Sequence, residues 1–405
     1  MPAEPAELRN DVQTYFDNTF FANGVKAITG PQLNTGLSKA IGSAFFKLDE
    51  PRAVSQDIAY VSPFGNDGTA VVGDASQPFA TFLAAFNAMP SSNFIIQALG
   101  GVYTEDFDVN PLDNKSNFIL RLDGSTINCV GLGVRLRACT NAVVYLGGGT
   151  INGDLNLGAD DAQSVNVFDG NINGRLNLGE ESAVGFCKIT NPSGVAVSTE
   201  ITASVNRPFM TNCRIVSNTD IAINGVVNCS VCYIESLTIT AIQTPITATS
   251  TFLPKFTNCT IRGTGSGGAV VFGTSANLNA IFDGCYIQAT GALGRCVWVG
   301  NTASNNVFFD NCNFVAKGDV VYIQTSTLQR AANIRTTFEQ CTFYTEDTGG
   351  SSKIFNEQGA YSGDSGKTLL TGTTKYNKAF TPTDAARWDI QGSVLTIPDA
   401  QIRPQ

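Results

Sequence analysis

"FTNCTI" occupies Phe256–Ile261, and the chain rewrites it as "MTNCRI" from Met210, "FDGCYI" from Phe282, "FDNCNF" from Phe309 and "FEQCTF" from Phe338. Side chains alternate along a strand, so Cys259 and Ile261 face the same way, whereas Phe256 has the opposite parity and turns inward only if the chain bends between them. Asn258 is where it bends. Asn212, Gly284, Asn311 and Gln340 fill the same slot in the other copies. Asn and Gly accept left-handed backbone, and Gln340 fits the slot less well. The motif therefore reads as a strand, a sharp corner and the start of the next strand, with Phe, Cys and Ile all turned into a core.

The last apolar residue of each copy serves as a marker: Ile127, Ile151, Ile172, Ile189, Ile215, Ile234, Ile261, Ile287, Phe314 and Phe343, at intervals of 24, 21, 17, 26, 19, 27, 26, 27 and 29 residues. A repeat of this length, rich in β-branched residues and punctuated by Gly and Asn, signifies a solenoid. The ladder of a leucine-rich repeat is missing, and strand propensity favours a parallel β-helix. Coils stacked about 4.8 Å apart give a rod roughly 50 Å long. Cys213, Cys259, Cys285, Cys312 and Cys341 then form an interior column of free thiols, because in-register stacking holds them too far apart and too parallel for disulfides. One CxxC, Cys229 and Cys232, without a second pair or a histidine, is a weak metal signal. "INGDLNLG" from Ile151 and "INGRLNLG" from Ile172 form a second repeat. It places Leu155 and Leu157 inward against Leu176 and Leu178, pairs Asp154 with Arg175, and stacks Asn156 on Asn177 as an exposed amide ladder.

Composition narrows the function classes. The chain has 405 residues, 15% of them charged, 40 glycines and a formal charge of −9. Lys and Arg never cluster in sequence, which argues against a nucleic-acid surface. Histidine is absent, which removes Ser-His-Asp and Cys-His catalysis and leaves carboxylates, Lys, Tyr or Cys. The stretch "MPAEPAELRNDVQ" has no signal-peptide pattern, and no long apolar run is present, so a soluble protein made in a cytoplasm, without membrane insertion, is expected.

Residues 49–92 are expected to supply a strand and a capping helix with Phe79, Phe82, Leu83 and Phe86 on one face, covering the open end of the solenoid. Tyr60, Val61, Ser62, Pro63 and Asp67, followed by Pro78, Phe79 and Thr81, resemble the opening phrases of pectate-lyase-like right-handed β-helix proteins. The resemblance covers about residues 58–345 and implies an all-β, right-handed parallel β-helix over 93–345, without implying an activity. In 1–48, Leu8, Val12, Tyr15, Phe16 and Phe20 form one helical stripe. Thr29 and Gln32 read as a capping box ahead of a second stripe, Leu33, Leu37, Ile41 and Phe45. Asn23, Gly24, Ile28, Thr29, Gly30 and Leu33 resemble N-terminal segments of fibre and adaptor proteins of tailed phages, crAss-like phages among them. That resemblance implies a virion protein attached through its N-terminus to other virion proteins, with a homotrimeric β-helix shaft. Residues 346–405 are expected to form a C-terminal cap or tail.

Two motifs fail on inspection. "SGDSGKT" lacks the first glycine of a phosphate loop, and "GTGSGG", Gly263–Gly268, has no βαβ unit around it. Glycan cleavage needs two carboxylates about 5–9 Å apart, and the offset of 21 between the close repeats puts Asp160 one coil from Glu181. No sugar-stacking aromatic lies beside that pair in sequence. Trp298 shares its parity with Cys296 and so turns inward if that cysteine does. The expected function is therefore a tail-fibre or tailspike-like structural protein that binds a host surface polysaccharide and uses no cofactor and no metal. A carboxylate-dependent depolymerase and a head or collar decoration protein are the alternatives.

Overall fold

The computed structural model describes residues 57–109, 115–136, 139–157, 164–179, 181–199, 208–238, 240–244, 254–264, 268–272, 278–291, 294–299, 305–324, 335–347, 353–358, 368–376 and 388–396. The helical stripes of 1–48 lie outside them.

The chain winds as a right-handed parallel β-helix whose coils contribute to three stacks of strands. Two stacks meet at the motif's corner and share a sheet of 23 strands; the third is a separate sheet of 11. All ten markers stand in register, from Ile127 on Ile151 through to Phe314 on Phe343. Tyr103 extends the row at one end and Tyr376 at the other. Pairing also continues past the last motif copy: Phe355–Gln358 joins the third stack, and Thr368–Tyr376 pairs along its whole length with Trp388–Thr396.

The corner has the backbone its residues require. Asn212, Asn258, Gly284 and Asn311 sit at φ 52°, 51°, 63° and 50°, and Gln340 adopts the same conformation at 51°. Three further coils use the slot with other residues, Asp169 at 60°, Phe186 at 57° and Val231 at 55°. Inside the corner, Phe256, Phe282, Phe309 and Phe338 stack at successive centroid distances of 4.8, 4.9 and 5.0 Å.

The thiol column is longer than the motif copies indicate. Cys187 and Cys232 join the five expected members, and all eleven cysteines of the chain are free. Each column thiol faces backbone carbonyls: Cys312 Sγ donates to Asp310 O at 3.2 Å and to Phe282 O of the preceding coil at 3.4 Å. A thiol fits because it is small and apolar yet carries a weak donor where a methyl would leave the carbonyls unmet. Burial pushes the Cys187 thiol up to about 12. The CxxC resolves into two repeat slots: Cys229 takes the Phe position between Met210 and Phe256, Val231 the corner, and Cys232 the column.

At the N-terminal end the strand Asp57–Val61 pairs with Phe94–Ala98. The helix Phe82–Ala88 lays Phe82 and Phe86 on Phe107 at 5.5 and 5.7 Å. Thr81 Oγ1 accepts from the Ala84 amide, and Glu105 accepts from the Phe82 and Leu83 amides at 2.8 and 2.9 Å. The expected helix face is right for Phe82 and Phe86, but Phe79 lies ahead of the helix, buried in a bridge to Val61, and Leu83 is 37% exposed. It follows Phe82 by about 100° of rotation, and Ala85 takes the inward place instead.

Candidate functional site

Strands of the third stack are two to four residues long, and each starts with a buried residue followed by the position that points away from the core. Leu155 and Leu157 are buried on either side of Asn156, and Leu176 and Leu178 on either side of Asn177, as the close repeat requires. Each coil thus presents one outward side chain, and register aligns these into a single row about 4.8 Å per step. The row opens with Asp108 and Arg135. Amides and hydroxyls follow: Asn156, Asn177, Ser198, Asn224 and Gln243. Val271, Trp298, Tyr322 and Asn356 complete it.

The amide section is knitted together. Asn177 Nδ2 donates to Asn156 Oδ1 at 3.4 Å, and Ser198 Oγ donates to Asn177 Oδ1 at 3.1 Å. The ladder therefore forms, but Asn177, held between its two neighbours, is only 2% exposed rather than open to solvent. Asp154 and Arg175, beside it, make the expected ion pair at 3.4 Å, reinforced by the Arg175 amide donating to Asp154 Oδ1.

The aromatic section corrects an expectation. Cys296 is buried, but so is Val297, so alternation starts at the strand Val297–Val299 and not at the cysteine. Trp298 consequently faces outward and is half-buried. Its ring meets Tyr322 edge-on at 6.2 Å, and the Arg295 guanidinium lies 3.4 Å over the Tyr322 ring and 5.9 Å from that of Trp298. Gly268, at φ 146°, stands where a Cβ would come within 3.2 Å of the Trp298 Cβ, so a glycine leaves the indole room. Chemically, the row offers groups that both donate and accept, followed by a flat apolar surface and a cation.

Of the expected carboxylate pair, Asp160 lies outside the described residues. Glu181 follows the strand Leu176–Leu178, is exposed, and accepts from Ser164 Oγ at 2.7 Å. Another carboxylate set sits elsewhere. Asp283, Asp310 and Glu339 occupy one outward row in three successive coils, with Lys255 Nζ 3.9 Å from Asp283. Their signal is in plain view as the second letter of "FDGCYI", "FDNCNF" and "FEQCTF".

No protein-family model matches the chain. No curated protein matches it either. Among solved structures, a pectate lyase, Pel9A, is similar at 15% identity over 85% of this chain and 78% of its own, with a TM-score of 0.36. A rhamnogalacturonan lyase is similar at 14% identity over 79% of this chain and 69% of its own, with a TM-score of 0.15. At those scores the fold rests on the strand register described above, and the comparisons place the chain in no family.

Proposed function

We propose that the chain is the β-helical shaft of a virion fibre or tailspike-like protein that binds a host surface polysaccharide lengthwise along the third stack. The observation that carries this reading is the row from Asn156 to Trp298, whose accessible amides at Asn156, Asn224 and Gln243 suit sugar hydroxyls and whose Trp298 suits the apolar face of a sugar ring. The virion assignment draws on the N-terminal resemblance alone. With it go attachment to other virion proteins through Leu8, Val12, Phe16, Phe20, Leu33, Leu37, Ile41 and Phe45, and assembly as a homotrimer. Placement on the tail is preferred to the head or collar because the row suits adhesion rather than spacing.

A second reading is a polysaccharide depolymerase, favoured by the carboxylates of Asp283, Asp310 and Glu339 standing one coil apart, near the separation that retaining glycosidases use. One experiment separates the two: titrate host polysaccharide against wild type, Trp298→Ala and Asp310→Asn while following its chain length. Adhesion is expected to show binding without shortening and about a tenfold loss of affinity in Trp298→Ala. Shortening that disappears in Asp310→Asn would replace adhesion with cleavage, and unaltered affinity in Trp298→Ala would remove the groove.

A further inference from the structure

We infer a second binding surface on the outward face of the marker stack, suited to an anionic ester, phosphate or sulfate, carried on a polymer that also presents an apolar face. Three consecutive coils form it. Lys188 stands in register with Arg214, and Arg214 with Tyr233. Both cations are exposed, and neither has an ion pair among the described residues. Like charges on adjacent strands repel. Other cations on the solenoid stand beside an acid on an adjacent coil, as Arg175 does with Asp154, Arg262 with Glu235 and Lys255 with Asp283. An anion seated between Lys188 and Arg214 would relieve the repulsion.

Arg214 is also held in place. Its guanidinium lies 5.1 Å from the Tyr233 ring centroid, and the Tyr233 hydroxyl accepts from Arg262 Nη1 at 3.1 Å. Arg262 in turn lies 3.6 Å from the Glu235 carboxylate. The chain of contacts fixes the ring and holds Arg262 to Glu235, while the N–H edge of Arg214 stays open to a ligand.

Backbone strain is an independent observation on the same coils. Phe186 and Val231 occupy the left-handed corner, where the motif copies place Asn, Gly or Gln, and they are 38% and 48% exposed. Each stands two residues before a member of the ionic row, Lys188 or Tyr233, so an exposed apolar side chain flanks the first and third coils of the row, with Asn212 at the corner between them. A bulky aromatic and a β-branched residue at positive φ gain little from burial there, and such conformations persist where a site uses them. With a formal charge of −9 overall, the chain attracts an anion only locally, which implies short-range contact that salt weakens.

The test uses the full-length protein with dextran sulfate, unmodified dextran and inorganic sulfate as probes, read by calorimetry with thermal melts alongside. Dextran sulfate is expected to bind and unmodified dextran not to. Arg214→Ala should weaken binding about tenfold or more, and Lys188→Ala several-fold. Phe186→Asn should weaken binding while raising the thermal midpoint, the combination a purely structural residue would not show. Trp298→Ala, on another stack, should bind dextran sulfate as wild type does, so failure of the groove and failure of this surface are distinguishable. Absence of binding by wild type, full binding by the Lys188→Ala/Arg214→Ala double variant, inorganic sulfate competing as well as the polymer at equal sulfate, or unchanged affinity in Phe186→Asn would each overturn the inference.

Discussion

Exchanging the corner residues of two adjacent coils, Val231→Asn and Asn258→Val, should move stability in opposite directions. The two positions share a conformation, φ 55° and 51°, and a backbone role: the Val231 amide donates to Thr257 O at 2.9 Å and the Asn258 amide to Asp283 O at 2.8 Å. Left-handed backbone costs an L-residue roughly 1–2 kcal/mol, and Asn offsets part of that through its own amide. Val231 is 48% exposed, so replacing it sacrifices little buried apolar area, and Val231→Asn should gain about 1 kcal/mol. Asn258→Val should lose about 1–2 kcal/mol. It also puts a branched Cβ beside Gly284, where the Asn258 Oδ1 already occupies the space within 2.4 Å of a would-be Cβ. The assay is equilibrium urea unfolding, with the shift in midpoint interpreted only if the slope is unchanged. Two shifts of the same sign would refute the reasoning, because they would mean the slot is chosen by side-chain contacts and not by backbone conformation.

The interior makes a plainer prediction. Phe282 is fully buried between the rings of Phe256 and Phe309, so Phe282→Ala should cost about 3–5 kcal/mol, and Phe282→Leu about 1–2 from the lost stacks; an Ala variant that melts like wild type would refute the column. Glu105 predicts a pH effect. Burial holds its carboxyl above the ordinary 4.5 despite the two amides it accepts from, so the folded chain binds that proton more tightly than the unfolded chain. Its stabilising contribution is therefore fully present below pH 4.5 and is lost as pH rises through the raised folded value. Wild type should lose stability relative to Glu105→Gln as pH rises from 4.5, measured by paired melts, and a difference that is flat or runs the other way would show that the amide hydrogen bonds outweigh burial.

The interior is readable from sequence because stacking repeats it. Phe, Cys and Ile recur at fixed offsets within each copy, and parity together with one left-handed residue is enough to turn all three inward, as the φ values at Asn258, Gly284 and Asn311 bear out. Copies that fill the slots with other residues are harder to see: "VGFCKI" and "CSVCYI", with Phe186 and Val231 at the corner, conceal Cys187 and Cys232 as column members. The third stack is nearly invisible in the sequence. Its strands are as short as two residues and lie at irregular distances from the motif, so periodicity cannot register them, and only pairing shows that Asn224, Gln243 and Trp298 share a row. Trp298 escapes for the same reason, since parity carried from Cys296 crosses the start of a strand.

In a solenoid, a functional surface is a row, and a row exists only while the interior keeps count. A slip of one residue in a coil would reverse its inward and outward sets, so the thiols and stacked rings that hold the register also hold Asn156, Asn224 and Trp298 in line. That requirement explains why the corner should be filled by whichever residue bends most cheaply, and why departures from it are informative. Gln340 departs while staying polar, as a corner needs no more than that. Phe186 and Val231 depart at a backbone cost, expose apolar surface, and do so in the coils that carry Lys188 and Tyr233. Local preference and fold agree almost everywhere along the rod, and where they disagree a function for the exposed side chain is the economical explanation.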